Sequence, residues 1–166
     1  MREASCLTPL ARVFSSKKQP SITRELYRPG MISGVGSVAI LVNGPSKAAQ
    51  WYEEKLGFEI VENEGHTVFA RPKDSQLLLH LCGKSDSWGR DSPGGRTGLW
   101  LYCGEISMRK DPASGQLIPA SSPEEVERTY LQLKKNGVEF SEELTSSGWG
   151  NYAILKDLDG NDFEMS

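Results

Sequence analysis

Hydrophobic and polar positions follow the same order of patterns twice along the chain. Residues 35–42 (VGSVAILV) form an apolar, β-rich run of the kind that fills a buried strand. Pro45-Ser46 then opens a helix, with Ala48, Trp51, Tyr52 and Leu56 at amphipathic spacing and Gly57 placed to end it in a left-handed conformation. Strands are predicted over 58–63, 66–71 and 76–82, with breaks at Glu64-Gly65 and 72–75. A second series starts with a strand at 98–103. Its helix has Ser122 at the N-cap, Pro123 at N1 and Glu125 at N3, a capping box. Val126, Tyr130 and Leu133 make the buried stripe of that helix, and Asn136-Gly137 stops it. Strands at 138–143 and 151–157 follow, then a tight Asp159-Gly160 turn and a short closing strand. Alternation in that last strand puts Phe163 and Met165 on one face and Asp162, Glu164 and Ser166 on the other.

Both halves therefore read β-α-β-β-β, and such a repeat implies two modules sharing a sheet or an interface. The halves differ at the strand-to-helix connection, which spans 43–45 in the first and 104–121 in the second. Connections of the second length are functional lids or disordered segments. Residues 1–30 show no periodicity and hold six Lys or Arg against two Glu, without the apolar stretch of a secretory signal. The expected organisation is a disordered extension over 1–32 and one domain over 33–166. Within that domain are a module at 33–82, a Gly/Ser/Asp-rich linker at 83–97 and a module at 98–166.

Composition narrows the function classes. With 37% hydrophobic and 25% charged residues the chain is an ordinary globular protein, and a net charge of -3 gives no electrostatic case for nucleic acid or an anionic membrane. Three cysteines without CxxC spacing read as reduced thiols of a cytoplasmic protein. Phosphate-binding GxGxxG, the GxSxG elbow and HExxH are all missing from the sequence.

The two modules, the YxxxLGF helix end at 52–58, the KKNGVEF segment and the closing WGNYAILKDLDGNDFEM resemble the vicinal-oxygen-chelate superfamily. This is the group of glyoxalase I, the bleomycin-resistance proteins and the extradiol dioxygenases. The resemblance covers roughly 34–166 and implies an α+β fold of two βαβββ modules, a curled mixed sheet enclosing a cavity, and a homodimer. It also implies four metal-ligand positions, which fall here on Ser37, His80, Gly98 and Glu164. Of these only His80 and Glu164 have side chains suited to Zn, Ni, Fe or Mn, where three or four such ligands are the rule. Cys82, on the same strand face as His80, and His66 are candidate substitutes.

Gly98, Trp100 and Tyr102 alternate onto one strand face, which the family register turns toward the cavity. Together with Ser37 they are the candidate ligand-binding residues, and His80 and Glu164 are the candidate catalytic pair, able in principle to move a proton without a metal. Two readings stay open. One is a small-molecule binding protein with an aromatic-sided pocket and an incomplete metal site. The other is an enzyme using His80 and Glu164, either a metal-dependent lyase, isomerase or dioxygenase or a metal-free isomerase or lyase.

Overall fold

The computed structural model describes residues 35–73, 75–83 and 93–166, so the N-terminal extension and most of the linker lie outside the described residues. The first module contains β1 (Ser37–Leu41), helix α1 (Pro45–Trp51), β2 (Glu59–Asn63), β3 (Thr67–Arg71) and β4 (Leu78–Cys82). The second contains β5 (Gly95–Leu101), β6 (Ser107–Lys110), β7 (Leu117–Ala120), α2 (Pro123–Lys135), β8 (Glu139–Ser147), β9 (Gly150–Lys156) and β10 (Asn161–Met165). Each module builds one four-stranded mixed sheet of the same order, β1-β4-β3-β2 and β5-β10-β9-β8. In each, the first and last strands run parallel and the other neighbours antiparallel. The repeated α+β plan predicted from the sequence is the plan of the structure.

Both helices begin and end as their sequences direct. Pro45 opens α1, whose last turn, Tyr52–Leu56, widens into a π-helix before Gly57 turns left-handed at φ 70. The Tyr52 ring is wholly buried in the core, against Phe58 and Phe163. At α2 the Ser122 hydroxyl accepts from the Glu125 N–H, and the Glu125 carboxylate pairs with Arg128 at 2.8 Å. Glu124 and Glu125 lie at the positive end of the helix and Lys134 and Lys135 at the negative end.

Alternation decides which side of each sheet is covered. Val68, Ala70, Leu79 and Leu81 of the first sheet and Ala153, Leu155, Phe163 and Met165 of the second join α1 and α2 in one continuous core. Burying a side chain such as Phe163 or Leu155 contributes about 1.5–3 kcal/mol. A buried polar knot ties the modules together inside that core. The Tyr52 hydroxyl donates to Asp157 at 2.8 Å, and Asn161 Nδ2 donates to the Leu41 carbonyl at 3.0 Å and to Asp157 at 2.8 Å. Burial raises the Tyr52 pKa well above its ordinary value, and the Asp157 charge adds to the effect. The sheet faces turned away from the helices remain partly open, with Ala39, His80 and Phe69 on one and Trp100, Tyr152 and Glu164 on the other.

Two departures from the sequence pattern matter for the site. Strand β5 starts at Gly95, three residues before the predicted strand, because its register against β10 carries a bulge. Arg96 pairs with Asp162 and Trp100 with Glu164, leaving two extra residues on β5 with Gly98 at φ 72. The long 104–121 connection is an added hairpin, β6–β7, closed by Asp111. The Asp111 carboxylate accepts from Ala113 N–H at 2.9 Å, from Ser114 N–H at 3.1 Å and from the Ser114 hydroxyl. Such an Asx turn explains why a stretch with two prolines holds a defined shape. No helix among the described residues is long and apolar enough to cross a membrane.

Candidate functional site

The open face of the second sheet and the β6–β7 hairpin enclose a concavity of about 750 Å³. Its floor is the alternate set of strand residues that point away from the core: Trp100 and Tyr102 from β5, Tyr152 from β9 and Glu164 from β10. Arg109 and Ile118 face it from the hairpin, and Trp149 stands at its end on the β8–β9 turn. Trp100 and Trp149 are 56% and 52% exposed, so two indoles are presented to solvent over a cleft instead of packed as core. Volumes of this order suit a small organic ligand, and the lining sets four aromatic side chains among charged ones, Arg96, Arg109, Asp111, Glu142 and Glu164.

The polar groups of the concavity divide into engaged and free. Glu142 accepts from the Tyr152 hydroxyl at 2.6 Å, and that hydrogen bond raises the Tyr152 pKa. Asp162, on the same sheet but outside the lining of the concavity, pairs with Lys156 at 2.9 Å and accepts from Ser141 at 2.9 Å. Partial burial pushes Asp162 up, but its bonds to Lys156 and Ser141 prevail and its pKa is lowered. Glu164, in contrast, accepts no hydrogen bond among the described residues and is half-buried. A second, more apolar cleft of about 500 Å³ lies on the other side of Trp100 and Tyr102, between Leu56, Leu79, Leu99 and Ile106.

The candidate residues do not gather in one place. Trp100, Tyr102 and Glu164 share the concavity. Gly98 sits at the β5 bulge with open space beyond its Cα, and its left-handed backbone accounts for glycine there. His80 lies on the open face of the first sheet, stacked on Phe69 at a ring distance of 4.7 Å, and does not line either cleft. Its Nε2 is buried without a hydrogen-bond partner. Ser37 is exposed at the start of edge strand β1. His66 is exposed in the β2–β3 turn, and Cys82 is buried with its thiol donating to the Ile40 carbonyl at 3.6 Å.

This donor set does not fit a divalent metal centre. His80 and Glu164 stand on different sheets, Gly98 has no side chain, and Ser37 is a weak ligand. Among the described residues no group of three or more His, Cys, Asp or Glu is placed to hold a metal ion.

Several lining residues carried a signal that the pattern alone did not isolate. Arg96 is in the same alternate series as Trp100 and Tyr102, and Tyr152 alternates against Ala153 and Leu155. Arg109 gave none, because the hairpin carrying it was not legible as strands.

A family model, described as Glyoxalase/Bleomycin resistance protein/Dioxygenase superfamily, matches residues 34–165. The chain belongs to the glyoxalase/bleomycin resistance protein/dioxygenase superfamily. A superfamily protein of known structure from Sphaerobacter thermophilus DSM 20745 is 27% identical, with a TM-score of 0.59 over 81% of this chain and 96% of its own. TnmS3, an antibiotic binding protein from Streptomyces sp. CB03234, has the same fold at 24% identity, with a TM-score of 0.58 over 81% of this chain and 95% of its own. The uncharacterized protein YetH of Bacillus subtilis (strain 168) is 31% identical over 134 residues, 80% of this chain and 97% of YetH.

Proposed function

We propose that this superfamily member is a small-molecule binding protein, and that it holds a planar aromatic ligand in the concavity between the second sheet and the β6–β7 hairpin. The observation that carries this is the pair of exposed indoles, Trp100 and Trp149, facing a cleft of about 750 Å³. Exposed large apolar side chains grouped around a cleft mark a ligand or partner surface. TnmS3 has the same fold and binds an antibiotic, but that likeness speaks for the fold, so the reading rests on the concavity. The protein is taken to act in the cytoplasm as a homodimer. Dimerisation would cover the open face of the first sheet, where Phe69 and His80 stack and Val61 is 47% exposed.

The test is titration calorimetry with 2-naphthamide, a neutral planar probe, on the wild-type protein and on Trp100→Ala. Stacking on an aromatic side chain is worth about 0.5–1.5 kcal/mol beyond its buried area, so Trp100→Ala should weaken binding by roughly tenfold. Absence of binding, or equal affinity in the variant, sinks the proposal. Chelator treatment should leave the melting temperature of the native protein unchanged, since a metal bound only to the folded state would stabilise it. A drop would overturn the metal-free reading, and light scattering on the eluted peak checks the dimer.

A further inference from the structure

We propose that Arg109 is an anion-holding residue of this concavity, and that the ligand is an aromatic molecule bearing a carboxylate, sulfonate or phosphate. The inference rests on the binding reading above and specifies the chemistry of the ligand. Three observations carry it. First, Arg109 Nε is buried with no hydrogen-bond partner, and the guanidinium makes no hydrogen bond or ion pair among the described residues. Arginine carries five N–H donors and stays charged at any physiological pH, so a half-buried guanidinium without an acceptor is costly unless a ligand supplies one.

Second, the fold keeps this guanidinium at the cleft. The Arg109 side chain reaches from β6 to the β8–β9 turn, where a Cβ built on Gly150 would fall 2.7 Å from Nη1. Gly150 also has φ 113, so both its backbone and the space above it favour glycine at the seat of the arginine. Third, no acidic side chain among the described residues is hydrogen-bonded or ion-paired to it, although the Asp111 pKa, lowered first by its bond to Ser114, is lowered further by this charge. Asp111 spends its carboxylate on the Ser114 and Ala113 donors of its own turn, and Glu142 is taken by Tyr152. With Tyr102, Tyr152 and Trp149 the concavity is lined by this fork of donors, by a second guanidinium from Arg96 and by the free Glu164 carboxylate. That combination matches a flat molecule with an oxyanion at one edge, since guanidinium and carboxylate or phosphate pair through two parallel hydrogen bonds.

The test compares 2-naphthoate with 2-naphthamide, which differ in charge and scarcely in shape, on wild type, Arg109→Lys and Arg109→Met. A charge-assisted contact predicts that wild type binds the acid at least about tenfold more tightly than the amide. Arg109→Met should erase that preference while amide affinity holds, which also shows that the concavity has kept its shape. Arg109→Lys should retain part of the preference, and added salt should weaken acid binding more than amide binding. Equal affinity of wild type for the two probes overturns the proposal and leaves the aromatic site standing. Parallel loss of both probes in Arg109→Met also overturns it, by showing that the arginine only holds the hairpin wall. Binding of neither probe by wild type overturns both proposals together.

Discussion

Asn161→Ala should be among the most damaging single substitutions in this protein, although the residue is neither charged nor large. Asn161 is 1% exposed and uses its side chain three times. Nδ2 donates to the Leu41 carbonyl at 3.0 Å and to the Asp157 carboxylate at 2.8 Å, and Oδ1 accepts from the Gly94 N–H at 2.9 Å. The first of these bonds crosses from the second module to the first. Truncation to alanine removes all three and strands a buried carbonyl of β1. Two bonds to neutral partners at about 1 kcal/mol each and one to a charged acceptor worth about 1.5–3 together give about 3.5–5 kcal/mol. Asn43 is the internal control, because its Nδ2 reaches the same closing turn, donating to Asp159 at 2.6 Å, but in an exposed position. Asn43→Ala should cost less than about 1 kcal/mol, since water replaces the lost partner. Urea unfolding followed by tryptophan fluorescence measures both variants under one slope assumption. If Asn161→Ala loses no more than Asn43→Ala, the claim that this knot clamps the two modules is refuted.

The remaining predictions concern the same knot and the second helix. Tyr52 has its pKa raised by burial and by Asp157, so its neutral form stabilises the fold below its ordinary value of 10.0. That contribution is lost as pH climbs through the folded-state value, and wild type should therefore unfold in alkali more steeply than Tyr52→Phe. Superimposable alkaline denaturation curves would show that the Tyr52 ionisation is not coupled to folding. Ser122→Ala removes the acceptor for the Glu125 N–H at the start of α2 and should cost about 1 kcal/mol by thermal or urea denaturation. A neutral result would mean that solvent satisfies that N–H without loss.

The double βαβββ plan was legible along the chain, because strand alternation, helix spacing and turn residues are local signals that agree with the tertiary arrangement. The Ser122 cap, the Gly57 stop and the inward Phe163 and Met165 follow from neighbours a few residues apart. So does the alternate face that brings Trp100, Tyr102 and Glu164 together. The hairpin between β5 and α2 escaped that logic. Its strands are four residues each, Met108 and Leu117 are exposed, and its turn is shaped by one aspartate. Only the tertiary structure could decide where His80 stands relative to Glu164. Both residues point away from the helices of their own modules, but the helix-covered faces pack together, which leaves the two open faces on separate sheets. The same packing shows that Asp157 and Asn161, within the motif that marks the family, clamp the two modules in the core. It also sets Arg109 over Gly150, forty-one positions later in the chain, a juxtaposition that no local pattern encodes.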